Sequence, residues 1–249
     1  MQGELRITHK NERSCYYFDN RYTRFMRHRS KSTASPRRVR PKGERTRNNI
    51  LRAAADLASL EGLEGLTIGR LADELKMSKS GLFAHFGSKQ DLQLATVGMA
   101  SEIFKDSVIR PALARPRGMP RLLELLERWL RHVEDKVFAG GCFFTAASFE
   151  FDSRPGPVRT AIVEAMRQWL STLTRAIEEA QKAGHINADL EPPRFALEIY
   201  SMAVGAHWAF GLLGQRNALK NARETILARL RSESRAQGNG TTHGDVKKA

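Results

Sequence analysis

The chain has 249 residues and a formal charge of +14, with 41% hydrophobic and 8% aromatic residues, a globular rather than a disordered composition. Its two cysteines, Cys15 and Cys142, lie far apart with no CxxC pair, so neither a disulfide framework nor a zinc site is suggested. The apolar run "YSMAVGAHWAFGLLG" (200–214) is shorter than a membrane span, and the first 25 residues carry five Lys/Arg with no apolar segment, so no secretory signal is expected.

A soluble, cytoplasmic protein without membrane contact is therefore expected. The positive charge is uneven. Residues 1–42 carry 12 Lys/Arg against 3 Asp/Glu, whereas residues 43–95 carry 7 of each. The segment "RHRSKSTASPRRVRPK" (27–42) is basic, low in complexity and without helical periodicity, so residues 1–42 read as a disordered tail. As an arm it would add phosphate contacts. Total charge alone does not identify a binding domain.

From Glu44 the pattern becomes helical. Ile50, Ala53, Ala54 and Leu57 recur at i, i+3, i+4 and i+7, and Gly62 is a stop signal, which predicts a helix over 44–61. Thr67 can cap a second helix with the stripe Ile68, Leu71, Ala72 and Leu75. Lys76 and Met77 interrupt it, and Ser78 can cap a third. Ser88–Asp91 has capping-box form for a fourth, with Leu92, Ala95 and Met99 behind it.

Within the third helix, Leu82 and Phe86 are four apart and point inward together, leaving Lys79, Ser80, Gly81, Phe83, Ala84 and His85 on the other faces. Helix, short break, helix is the geometry that sets a recognition helix into a major groove. The stretch "LTIGRLADELKMSKSGLFAHFGSKQDL" resembles the DNA-binding core of TetR/AcrR-type bacterial transcriptional regulators over residues 44 to about 100. That resemblance implies a helix-turn-helix over 67–86, with Thr67 among the contacting residues and Ser78, Lys79, Ser80 and Gly81 opening the recognition helix. It implies that Phe83 occupies the place of a phosphate-binding tyrosine, and that His85 and Lys89 meet the DNA backbone. Phe83 has no hydroxyl, so only packing against sugar or a thymine methyl remains to it. Lys76 stands where the family often has a turn glycine. At positive φ it would carry strain on the order of 1 kcal/mol.

Residues 102–232 read as all-helical with short breaks. Leu122, Leu126, Trp129, Leu130 and Val133 form one apolar face, "GGCFFTAASFEF" (140–151) is a denser run, and Pro157 suits the start of the next helix. Val158, Ile162, Met166, Trp169, Leu173 and Ile177 follow before Gly184. Residues 192–213 bring Phe195, Ile199, Ala203 and Ala206, and a last helix is expected over about 216–232. This half, with "GGCFF" and "EFDSRPGPVR", resembles the ligand-binding and dimerisation domain of the same family. That resemblance implies a homodimer formed through 157–183 and 191–213.

The expected fold is all-α: a basic disordered tail (1–42), a helix-turn-helix DNA-binding domain (43–100), a larger helical ligand-binding and dimerisation domain (101–232) and a disordered tail (233–249). Aromatic walls with few polar groups suit an apolar or aromatic small-molecule effector. Trp129, Phe143, Phe144 and Phe149 are candidates for such a wall, as are Met166, Trp169, Tyr200 and His207. Any single aromatic at helical spacing is more often part of a core. Cys142 beside two phenylalanines reads as a small buried hydrophobe before it reads as a redox sensor. The seven histidines show no metal-ligand spacing, and no P-loop, GxSxG or paired-carboxylate motif is present, so no metal, cofactor or catalytic residue is expected. The expected function is a repressor released from a palindromic double-stranded DNA operator by its effector. An activator of the same fold, an all-helical enzyme and a non-specific DNA-packing protein are the alternatives.

Overall fold

The computed structural model describes residues 42–236. The tails expected over 1–42 and 233–249 therefore lie outside the described residues, apart from Lys42 and residues 233–236. Among the described residues there are ten α-helices, one π turn and no strand. Among the described residues no helix is long and apolar enough to cross a membrane.

Helix α1 spans Lys42–Glu61, two residues longer at its start than expected, and buries Ile50, Leu51, Ala54, Leu57 and Ala58. Gly62, at φ +87°, ends it. Helix α2 (Ile68–Leu75) and helix α3 (Lys79–Phe86) have eight residues each, and α4 runs over Lys89–Phe104. All three begin with a side-chain cap: Thr67 accepts the Arg70 N–H, Ser78 that of Gly81, and Ser88 that of Asp91. At Ser88 the capping box is modified. Its hydroxyl also donates to Asp91 Oδ2 at 2.6 Å, while its own N–H goes to the Phe86 carbonyl.

The buried face of α4 differs from the expected one. Leu92 is buried, but Ala95 and Met99 are only half-buried, and the core side is Gln93, Thr96, Val97, Ala100 and Phe104. Two buried polar residues hid that stripe. Gln93 donates to the Leu63 carbonyl at 2.8 Å and Thr96 to the Leu92 carbonyl at 2.7 Å, so neither leaves an unpaired donor inside.

Helix α4 does not stop at Phe104. It widens into a π turn over Lys105–Ile109 and resumes as α5 (Arg110–Leu113), with Arg110 N–H donating to the Lys105 carbonyl. Pro111 explains the widening, since it has no N–H and its ring would clash with the carbonyl four residues back. The Ser107 hydroxyl donates to the Ile103 carbonyl at 2.8 Å.

The body consists of α6 (Met119–Glu134), α7 (Phe143–Glu150), α8 (Pro157–Lys182), α9 (Pro192–Gly211) and α10 (Ala218–Ala236). Helix α8 packs on α6, α4 and α9, and α10 covers α9. Leu122, Leu125, Leu173, Ile177 and Phe195 are fully buried between them, each contributing roughly 1.5–3 kcal/mol by leaving water. The last helix starts two residues later and ends four residues later than expected. Its polar end is tied down, because Ser234 donates to the His185 carbonyl at 2.7 Å and the Glu233 carbonyl accepts from Asn187 N–H. Helix α1 packs against both α4 and α7, which joins the N-terminal helices to the body.

Candidate functional site

Helix α3 is held from beneath by Leu82, fully buried, and Phe86, 5% exposed. Lys79, Ser80, Phe83 and Ala84 lie on its exposed side, and His85 is half-buried with its ring tilted against Phe86. Phe83 is 56% exposed, unusual for so large an apolar ring. The Ser78 cap explains the glycine at 81, since a Cβ there would sit 3.0 Å from Ser78 Oγ. The turn before α3 puts Lys76 at φ 53°, ψ 39°, the left-handed conformation anticipated for a glycine, and it still closes α2 by donating to the Ala72 and Asp73 carbonyls.

Thr67 caps α2 from an exposed position. Lys89, at the first position of α4, is not a free cation: its Nζ lies 2.8 Å from Glu64 Oε1 in the α1–α2 loop. Gln93 also donates to the Glu64 carboxylate, at 3.2 Å. The Lys89 hydrogen bond first, and that of Gln93 second, hold the Glu64 carboxyl below its ordinary range. An ammonium has three donors, so Lys89 can keep Glu64 and still reach an anion. Sequence reasoning missed two partners here. Arg47 lies over the Phe86 ring at 5.1 Å, beside α3, and the acid of the "GLEGL" loop positions Lys89. Arg70 is occupied by Glu61 and Glu74.

The second feature is a small cavity in the body that opens to solvent on one side. Of the eight anticipated wall residues, Trp129, Phe144, Met166, Trp169 and Tyr200 line it. Phe143 does not. It is buried in the core against Phe138, with ring centroids 5.8 Å apart. Phe149 points outward and is 68% exposed, because it lies on the opposite side of the eight-residue α7. His207 does not line the cavity either; Cys142 N–H donates to its Nε2 at 3.4 Å. Among the walls unforeseen in the sequence, Phe104 and Ile109 come from the end of α4 and the π turn.

Its rings interlock, two pairs edge to face and one stacked. Trp169 meets Phe104 at 5.0 Å and Trp129 at 5.2 Å, and Trp129 stacks on Tyr200 at 5.6 Å with 12° between planes. The Trp169 indole N–H finds no acceptor among the described residues. Burial pushes the Tyr200 phenol up to about 12, so it stays a neutral donor at ordinary pH. Cys142 also lines the cavity, and burial raises its thiol away from the reactive thiolate form.

The profile described as "Bacterial regulatory proteins, tetR family" matches residues 50–96. The profile described as "Tetracyclin repressor-like, C-terminal domain" matches residues 118–226, and the two together span more than half of the chain. The chain belongs to the TetR family. It is thus a ligand-responsive, DNA-binding transcriptional regulator. The transcriptional regulator AcuR of Cereibacter sphaeroides is 25% identical over 173 residues, covering 65% of this chain and 76% of AcuR. A TetR regulator from Chloroflexus aurantiacus shares the fold with a TM-score of 0.71 at 22% identity, over 77% of this chain and 97% of that one. AibR, solved in complex with isovaleryl coenzyme A and operator DNA, has a TM-score of 0.60 at 20% identity, over 74% and 97%.

Proposed function

We propose that this TetR-family chain is a cytoplasmic homodimeric repressor that leaves a palindromic operator when an apolar or aromatic effector enters the cavity. The observation carrying it is an eight-residue helix whose apolar anchors, Leu82 and Phe86, are buried while its other side stands in solvent. Lys79 and Ser80 face the base edges, and Gly81 lets the backbone approach. Phe83 packs on sugar or a thymine methyl. Thr67, Ser78, His85 and Lys89 serve the phosphates, Lys89 from the positive end of α4. The reading assigns no catalytic step, metal or cofactor. The DNA-binding unit is taken as 43–100 and the effector and dimerisation unit as 101–232.

The homodimer has its own support. Leu197, Trp208 and Leu212, spaced for one face of α9 and its end, are 55%, 55% and 71% exposed. An isologous pairing through α8 and α9 would cover them and set two recognition helices about 34–36 Å apart.

DNA selected from a random pool provides the test. Gel-shift titrations should show Lys89→Ala weakening selected and random DNA about equally, with the salt slope reduced by about one. Changes at Lys79 or Ser80 should alter base preference instead. Loss at a single base pair on Lys89→Ala would contradict the assignment, and equal binding of all sequences by the wild type would remove the repressor reading.

A further inference from the structure

Helix α7 has one end in the cavity and the other on the DNA-binding helices. Phe144 and Thr145, in its first turn, line the cavity. Glu150, its last residue, reaches the loop between α1 and α2, where Oε2 accepts the Leu63 N–H at 2.7 Å and Oε1 the Glu64 N–H at 2.9 Å. Among the described residues neither amide donates to a backbone carbonyl. The loop is shaped around this carboxylate: a Cβ on Gly62 would lie 2.8 Å from Glu150 Oε1, at a φ of +87° that disfavours any side chain. The connection leading into α7 is pressed equally close. A Cβ on Gly140 would fall 2.0 Å from the Ser59 carbonyl oxygen, and Gly140 N–H donates to Ser59 Oγ at 2.9 Å.

The same loop residues reach the DNA side. Glu64, whose N–H Glu150 holds, grips Lys89 Nζ at 2.8 Å. Leu63, whose N–H Glu150 also holds, gives its carbonyl to Gln93 on α4 at 2.8 Å.

We infer that Glu150 is a positioning residue for operator binding, and that α7 carries occupancy of the cavity to Lys89 through Glu150's hold on the Leu63 and Glu64 amides. This rests on the roles proposed above for Lys89 and the cavity. Helix α7 is only two turns long, so a ligand that displaces its first turn displaces its last. A shift of about 0.8 Å takes a 2.7 Å hydrogen bond to the edge of its range, so the contact acts as a latch with two states. An effector favouring the open state then weakens DNA binding by its differential affinity.

The test uses the full chain and DNA selected by the wild type. Glu150→Gln keeps the size of the side chain but offers one acceptor oxygen for two N–H groups. Amide exchange at Leu63 and Glu64 should quicken at least tenfold, operator Kd should rise about tenfold, and the salt slope should fall by about one as Lys89 loses its placement. Ala165→Phe fills the α8 wall of the cavity and stands in for an effector. It should weaken operator binding in the wild type and add little in the Glu150→Gln background.

Faster exchange with unchanged operator affinity would overturn the positioning role. Equal weakening by Ala165→Phe in both backgrounds, or none in the wild type, would overturn the coupling. Should Glu150→Gln not fold, Glu150→Asp, one methylene shorter, is held to the same outcomes. A wild type that binds no DNA selectively defeats the repressor reading instead, while the exchange rates still judge the latch.

Discussion

The DNA-binding helices and the body start their helices in different ways. In the first region α2, α3 and α4 each open on a hydroxyl that caps a backbone N–H. In the body α6, α8 and α9 open with proline in the first turn and no side-chain cap. Length matters for the two shortest of the capped helices, α2 and α3, with eight residues each. An eight-residue helix lies well below the length that persists alone in water, so α2 and α3 depend on caps and one or two anchors. Helix α8, with 26 residues, rests on a long buried stripe that includes Ile162, Trp169, Leu173 and Ile177. Local chemistry holds the part that meets DNA, and packing holds the part around the cavity.

The hardest test of that contrast is the anchor of α3. Leu82→Ala should cost about 2–5 kcal/mol, because Leu82 is fully buried and its neighbours belong to a short helix. Phe83→Ala, one position along but 56% exposed, should change stability by less than about 0.5 kcal/mol. Urea unfolding of the two variants measures both. Comparable losses would mean that α3 buries its outer face, and the DNA interface assigned to it would go.

Packing in the body predicts a pH dependence of its own. His132 is buried between Phe104 and Phe138, with Nδ1 2.9 Å from Ser107 Oγ and no partner for Nε2 among the described residues. Burial, with Arg52 and then His207 as lesser causes, pushes it down to about 4 from 6.5. Above pH 6.5 both folded and unfolded states hold it neutral and it contributes no pH dependence. As pH falls from 6.5 to about 4 the unfolded chain takes up the proton first, so stability declines across that window and levels off below it. The loss amounts to roughly 3 kcal/mol. His132→Leu should flatten the stability profile there relative to the wild type; parallel profiles would show that His132 is not buried neutral.

The same contrast explains what could be read from the sequence. Caps are local, so Thr67, Ser78 and Ser88 marked α2, α3 and α4 at their true starts. The buried stripe of α4 was misread because Gln93 and Thr96 are polar, and their satisfaction depends on carbonyls the sequence does not identify. The π turn went unseen because one proline can end, kink or widen a helix. Around the cavity, Phe143, Phe144 and Phe149 lie within one eight-residue helix, yet one enters the core, one the cavity and one solvent. Apolarity does not say which face turns where; only the neighbouring helices decide it. Glu150 is further from reach still, since its two amide partners lie 87 and 86 residues away.

Caps offer a finer test. Ser78→Ala removes the acceptor of the Gly81 N–H and should cost about 1 kcal/mol. Because α3 has no other side-chain cap, the loss should appear as fraying at its start. Amide exchange at Gly81 should rise more than at Leu173, deep in α8. A uniform rise would mean that the DNA-binding helices open only with the whole chain.

The smallest expected effect has the opposite sign. Lys76 holds φ 53° and ψ 39° at the end of α2, a conformation that costs a residue with a Cβ on the order of 1 kcal/mol. Its side chain is exposed and makes no ion pair among the described residues, so little is lost on removing it. Lys76→Gly should relieve the strain but also loosen the unfolded chain, leaving a net stabilisation of a few tenths to about 1 kcal/mol. The gain should appear as an upward shift in denaturation midpoint with an unchanged slope. A net loss would mean that the lysine's charge near the end of α2 is worth more than its backbone costs, placing electrostatics above conformation in setting this turn.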